Sequence, residues 1–490
     1  MNLAIFFLVL GIPLTATICC IFIQRRWVFQ ATTITATALT AIAACILAVM
    51  VFVNTSVSAQ GGFFYADALS AYVILIVTGS ALVVAIYSVG YLDRQVSDGK
   101  IDPKILRLYF VLLNLFHSTM LLVLLSNNLG IMWIGIESTT LATAFLVAFY
   151  DRESSLEAAW KYVIISSVGI TLALFGIILT YYSGLNAVHT SADALNWTTL
   201  MSVAQKLDPS ILKLAFVFVL IGFGTKAGLA PMHTWKPDAY AEAPAPVTAL
   251  MAAGLVNVAL YAIIRFYILV NKSVGTTFAP TLLITFGLLS MAVALPFILV
   301  QKDVKRLLAY SSVEHVGIIA FALGLGTPLG YFGALLHMLN NAIVKLVMFL
   351  AVGNIRIAYN SKIIRRITGA IKIVPASATL LFIGMFALTG WPPFGLFVSE
   401  LTIATAGFGS GNIFPTVLFL FLVAAVFVGL ISYVSEMVFG EPPANARAGE
   451  PSVVSIIVLT GLLLISVVLG TAMPGTLFEF LQKIVMVLKG

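Results

Sequence analysis

Charge is scarce in this chain of 490 residues. Asp, Glu, Lys and Arg make up 9% of it, against roughly 25% in an ordinary soluble domain. Cysteine is nearly absent as well. Its three copies, Cys19, Cys20 and Cys45, all fall in the first two apolar runs, which excludes a disulfide framework, a zinc site and an iron–sulfur cluster. There is no GxGxxG, no Walker-type lysine loop and no CxxC. No cofactor is therefore expected on this chain, and any redox or nucleotide reaction would belong to another subunit. The first apolar run lacks a basic leader and a small-residue cleavage site, so it reads as a retained span.

What the chain has in excess is apolar sequence. Hydrophobic residues are 61% of it, more than the interior of a soluble protein of this size could hide. A bilayer crossing takes about 20 mostly apolar residues. The runs are long and continuous rather than alternating, which favours helices over a transmembrane barrel. The expected fold is an all-α polytopic membrane protein of about 14 transmembrane helices. The spans are placed at 3–23, 30–53, 68–91, 108–126, 129–150, 161–182, 211–232, 247–270, 280–300, 307–326, 329–353, 377–406, 414–439 and 452–473. The longest polar stretch, 183–210, holds no cofactor motif. The tail 475–489 is too short to span, and its Phe478, Phe480, Leu481, Ile484 and Leu488 suit the membrane interface.

The formal net charge of +7 marks loops in a membrane protein, not a nucleic-acid partner. With the N-terminus outside, the odd-numbered loops collect 18 of the 26 Lys and Arg residues, Lys236 and Lys305 among them, and the even loops hold four, including Arg265. That bias predicts a multi-pass protein of the cell (inner) membrane with both termini on the outer side.

Among the charges inside apolar runs four stand out: Glu137 in span 5, Lys226 in span 7, Lys345 in span 11 and Glu400 in span 12. An ionised side chain at mid-bilayer costs about 2.5–3.5 kcal/mol on insertion scales and is retained where it faces a bundle interior or a wet cavity. Buried ion pairs locking helices together are the alternative reading, but four charges in four separate spans fit a hydrophilic path better.

Span 7 also carries Gly222, Gly224, Gly228 and Pro231, and span 12 carries Gly390, Pro392, Pro393 and Gly395. Both helices should be broken. Two broken helices five spans apart suggest inverted repeats of spans 4–8 and 9–13. The expected organisation is therefore 1–107 (spans 1–3), 108–270 (first unit), 271–440 (second unit) and 441–490 (span 14 and tail).

Polar connectors lie between the charges. His337, Asn341 and Lys345 recur every four residues on one helix face. The start of span 10 adds Lys305, Ser311, Ser312, Glu314 and His315, and span 4 adds Asn114 and His117. For His117 and His315 a packing role is an equal alternative, and His189 and His233 fall in or near loops. Asn257 in span 8 is polar but cannot titrate. A series of this kind is what a proton relay needs.

At these residues the chain resembles a known family: the antiporter-like, proton-translocating subunits of NADH–quinone oxidoreductase, Mrp-type sodium/proton antiporters and membrane-bound [NiFe] hydrogenases. The matching segments are SNNLGIMWIGIESTTL, EAAWKY, GTKAGLAPMHTWKPDAYAEAPAPVTALM, DVKRLLAYSSVEHVG, LLHMLNNAIVKLVMF and GWPPFGLFVSE, within about residues 65–440. AYSSVEHVG, ATAFLVAFYDR and Asn257 make it most similar to the hydrogenase-4 or formate-hydrogenlyase branch. The resemblance implies that Glu137 pairs with Lys226, that Lys345 and Glu400 continue the path, and that Lys161 is the basic residue opening span 6. It also implies that His337 stands where some members have histidine. Two departures are visible. Asn257 occupies a position where many relatives have lysine, and Asn341 one where some have histidine. The chain should also lack the long lateral helix of the largest members.

The function this implies is a membrane subunit of a redox-driven ion pump. A proton would move from Lys226 by way of Asn257, His337 and Lys345 towards Glu400, against about 2.3 kcal/mol per charge per 100 mV. Expected partners are other integral membrane subunits, peripheral redox subunits on the cytoplasmic side carrying iron–sulfur clusters and, in the hydrogenase case, [NiFe], together with H+ (or Na+) and lipid. The alternatives are a Na+/H+ antiporter subunit without a redox partner, a membrane component of an inorganic-carbon uptake system, and an anchor whose relay has decayed.

Overall fold

The computed structural model describes residues 2–185, 187, 193–444 and 446–489; His189 lies outside them. The chain begins with α1 (Asn2–Phe22) and α2 (Arg26–Asn54), then a β-hairpin of β1 (Ser56–Ala59) and β2 (Phe64–Asp67). The strands are antiparallel, Ser56 facing Asp67, where hydropathy alone suggests only a loop. There follow α3 (Ala68–Ser97), α4 (Pro103–Leu125), α5 (Leu129–Val147), α6 (Glu153–Gly184), the short α7 (Trp197–Ser202), α8 (Pro209–Ala227), α9 (Trp235–Glu242), α10 (Ala245–Leu250) and α11 (Val256–Val274). The remainder is α12 (Phe278–Leu299), α13 (Val304–Gly324), α14 (Pro328–Tyr359), the short α15 (Ala370–Ile373), α16 (Pro375–Leu388), α17 (Gly395–Gly409), α18 (Ile413–Val438), α19 (Val453–Thr471) and α20 (Gly475–Lys489).

Among the described residues, thirteen helical segments are long and apolar enough to cross a membrane, with α10 and α11 joined as one. The expected span 12 is instead two short apolar helices, α16 and α17. The protein is a multi-pass, all-α membrane bundle with one small hairpin added. Helix starts are set by side chains that accept first-turn N–H groups: Asp67, Asp102, Asn128, Asp208, Asp303 and Thr327.

Burial is uneven. The α10–α11 span is enclosed on all sides, and α13 and α14 nearly so, whereas α12, α18 and α19 bury only about a third of their apolar windows. The outer helices expose Phe414, Phe421, Val453 and Ile457, which is a lipid-facing surface and would be a liability in water. The enclosed helices carry the polar residues. Close helix contact depends on small residues: a Cβ on Gly222 would lie 2.5 Å from Ala173, and one on Gly317 would lie 2.6 Å from the Gly287 carbonyl.

Both expected breaks are present. α8 ends at Ala227 and turns through Gly228 (φ 85°), and a cis Ala230–Pro231 bond precedes α9. α16 ends at Leu388, turns through Gly390 (φ 66°) and passes a cis Pro392–Pro393 bond before α17. The freed backbone groups of the first break find partners. The Trp235 indole donates to the Thr225 carbonyl at 2.8 Å, Lys236 Nζ to the Ala227 carbonyl at 2.8 Å, and the Ala230 N–H to Ser290 Oγ at 2.9 Å.

Three basic residues assigned to loops are buried instead. Lys236 and Lys305 are fully enclosed, and Arg265 is 2% exposed inside α11. Arg265 forms a two-pronged pair with Asp67, both bonds 2.7 Å, and its guanidinium lies over the Trp197 ring. Hydropathy windows miss these residues because each sits at the end of an apolar run, where a long side chain can turn back into the bundle. The tail forms α20. Its Phe480, Leu481, Ile484, Val485 and Leu488 are buried, and it packs against α3 and α14.

Candidate functional site: a line of buried titratable groups

The first cluster joins α5, α6 and α8. Glu137 accepts from Ser167 Oγ at 2.7 Å and from Thr140 Oγ1 at 3.3 Å. Lys226 Nζ donates to Thr140 Oγ1 and to the Tyr162 hydroxyl, both at 2.7 Å. Carboxylate and ammonium therefore communicate through the Thr140 hydroxyl, which can accept from one and donate to the other. Glu137 and Ser167 are half-buried, while Lys226 is fully enclosed. Lys226 stands in the last turn of α8, the negative end of the helix dipole, where a cation is favoured.

The second cluster joins α13, α14 and α17. Lys345 Nζ donates to Ser311 Oγ at 2.8 Å and to the Leu308 carbonyl at 3.4 Å. Glu314 is buried one turn along α13, close enough for its charge to act on Lys345. His315 Nδ1 and His337 Nε2 are 2.9 Å apart, and His337 Nδ1 is 3.0 Å from Ser399 Oγ. Glu400 is 8% exposed and reaches within 4.8 Å of both rings. It occupies space left by Gly390, where a Cβ would lie 2.0 Å from Glu400 Oε2. His315, His337 and Glu400 offer three donor atoms to a metal, but the two rings are turned on each other. Both nitrogens of His337 are engaged, so the set is arranged to share protons.

Other expected positions fall differently. Lys161 is half-exposed and pairs with Glu157 at 2.5 Å and Asp238 at 3.4 Å. It lines a cavity of about 440 Å³ with Glu242, Asp303, Arg306 and Lys362. Asn257, in α11, donates to the Ala253 carbonyl at 2.7 Å in the preceding π-turn Met251–Leu255. Asn341 is buried with its Oδ1 unpartnered. His117 is buried on α4 with both ring nitrogens unpartnered, and no charged group acts on it, so it stands apart from both clusters.

Sequence reasoning missed Thr140, Tyr162, Ser167, Ser399 and Lys236. Two signals were available: Thr140 is one turn from Glu137, and Tyr162 adjoins Lys161.

Two broken helices that bracket a buried titratable series define an ion-conducting membrane subunit. The profile of the family described as NADH:quinone oxidoreductase/Mrp antiporter, TM matches residues 126–428, and the NADH-ubiquinone oxidoreductase (complex I) chain 5 N-terminus profile matches residues 62–100. The chain belongs to this family of antiporter-like membrane subunits. The hydrogenase-4 component F homolog of Methylacidiphilum infernorum is 39% identical over 386 residues, 79% of this chain and 81% of that protein. The Na(+)/H(+) antiporter subunit A1 of Staphylococcus haemolyticus is 30% identical over 446 residues, 85% of this chain; the chain spans about half of its length, 53%. A chain of the membrane-bound sulfane sulfur reductase, an archaeal respiratory membrane complex, superposes with a TM-score of 0.88 at 26% identity, covering 100% of this chain and 98% of that one. A chain of the Mrp complex from Dietzia sp. DQ12-45-1b shares the fold, with a TM-score of 0.86 at 19% identity and coverage of 100% and 99%. These structures are multisubunit membrane complexes.

Proposed function

We propose that this chain carries protons across the membrane as one subunit of a redox-driven pump of the hydrogenase-4 type. Its neighbours are other integral membrane subunits and peripheral subunits holding iron–sulfur clusters and [NiFe]. One observation supports this reading above the rest: two clusters of titratable groups, one on α5, α6 and α8 and one on α13, α14 and α17, each lie beside a helix break. Residues 108–270 and 271–440 act as inverted units around these breaks, with both termini on the outer side. A change at the flank alters the Glu137–Thr140–Lys226 contact. The proton released from Lys226 then passes towards Lys345, Glu314, the His315–His337 pair and Glu400, with Asn257 and Asn341 lining the way and Lys161 at the cavity mouth. Gentle purification of the native complex, with mass spectrometry of what co-migrates, tests it: a hydrogenase or iron–sulfur dehydrogenase subunit is expected.

The 30% identity to an antiporter subunit over most of the chain favours a second reading, Na+/H+ exchange without a redox partner. Sodium efflux driven by a pH gradient in proteoliposomes, with no electron donor, would establish it.

A further inference from the structure

Between the two clusters the expected carrier is missing. Asn257 cannot take up a proton; its amide nitrogen is committed to the Ala253 carbonyl and its amide oxygen is buried without a partner. Lys236 occupies the gap. It opens α9 just past the first break and is fully enclosed. Its Nζ donates to the Ala227 carbonyl at 2.8 Å and reaches the Ser312 carbonyl at 3.5 Å. Ala227 follows Lys226 in the chain, and Ser312 follows Ser311, which accepts from Lys345. The Lys236 charge acts on both His315 and Lys345. One ammonium thus touches the end of the first cluster and the helix that carries the second.

Room has been kept for it. A Cβ on Gly228 would lie 2.7 Å from Lys236 Cδ and 2.8 Å from Nζ. Its electrostatic setting also differs from that of the other enclosed lysines. Glu137 acts on Lys226, Glu314 on Lys345, and Asp303 with Glu242 on Lys305. Among the described residues no carboxylate acts on Lys236. A buried ammonium without a counter-ion is expensive, so a permanent charge here is poorly supported and a passing one is well placed. A plain structural role, capping the end of α8, explains the Ala227 contact. It does not explain a lysine, because a neutral donor would cap without a buried charge.

We propose that Lys236 is the central proton-carrying group of the path, handing on between Lys226 and the cluster of Lys345, Glu314 and His315. This rests on the proton-pump reading above.

The test uses the intact complex in inside-out membrane vesicles. Proton uptake is read by quenching of an acridine dye, and oxidation of the complex's own electron donor is followed in parallel. Lys236→Gln keeps a capping donor but carries no proton. Lys236→Arg keeps cap and charge but does not release its proton. Both should assemble and lower the protons taken up per electron by about tenfold or more. Adding Asn257→Lys to Lys236→Gln should recover part of the loss. A wild-type ratio in either single variant overturns the proposal, as does a Gln variant that Asn257→Lys leaves unimproved, since the loss then belongs to the cap. Lys226→Ala and Lys345→Ala separate the two levels. If they stop pumping while Lys236→Gln does not, only the Lys236 assignment falls. If none of the four matters, the proton-pump reading falls with it.

Discussion

The two clusters are built differently. The first lies at the flank: Glu137 and Ser167 are half-buried among exposed Leu141, Phe145, Ile164 and Val168, and a hydroxyl separates carboxylate from ammonium. The second lies inside α13, α14 and α17, with its histidines in direct contact and Glu400 filling the helix break. A carboxylate at the edge can respond to a neighbouring subunit or to lipid. An enclosed chain of proton donors and acceptors can only pass on what reaches it. The first cluster is suited to sensing and the second to conduction.

The largest expected effect tests whether both halves are needed. Lys226→Ala and Lys345→Ala should each reduce proton uptake by about 100-fold in a correctly assembled complex, and Lys226→Arg should not rescue. If Lys345→Ala pumps normally, the second cluster is not a conduit.

Next comes the buried Arg265–Asp67 pair, which anchors α11 to the start of α3. Asp67→Asn leaves Arg265 buried without its counter-ion and should cost about 3–5 kcal/mol of stability, read as a lower melting temperature of the purified complex. Burial alone would raise the Asp67 carboxyl, but the Arg265 charge, its hydrogen bonds and the Ser70 and Leu69 N–H groups together outweigh it and hold the group below the usual carboxylate range. The stabilisation is therefore complete above that range. It should disappear only as the pH falls through the lowered value, with no change near neutrality.

A third test separates sensing from conduction. Thr140→Val removes the hydroxyl between Glu137 and Lys226 while keeping both charges. Proton uptake should fall by about 10-fold, as for the loss of a hydrogen bond to a charged group, with donor oxidation less affected. Loss as severe as that of Lys226→Ala would mean that Thr140 itself carries protons. The smallest effect belongs to His117→Phe. With no partner for either ring nitrogen, its loss should leave pumping unchanged, and a deficit would place α4 on the path.

Much of this was legible in the chain because a bilayer makes local sequence decisive. A run of about 20 apolar residues has to be a span, and a glycine–proline group inside it has to be a break. Glu137, Lys226, Lys345 and Glu400 stood out because a charge within such a run needs a reason. Lys236 did not, because WKPD follows the break and reads as loop; only the packing of α9 against α6 and α13 encloses it. The same holds for Arg265, which looked like the end of a span until its pair with Asp67, 198 residues away, came into view.

The sequence by itself determined the solvent, the number and kind of crossings, the two breaks and four of the charges. All of these follow from short stretches of chain meeting hydrocarbon. The tertiary structure alone decided which polar groups touch: Thr140 between Glu137 and Lys226, His315 against His337, and Lys236 between the clusters. Such contacts depend on helix rotation and close approach across Gly222, Gly317 and Gly228. Those are set by packing among segments far apart in the chain, which no local pattern encodes.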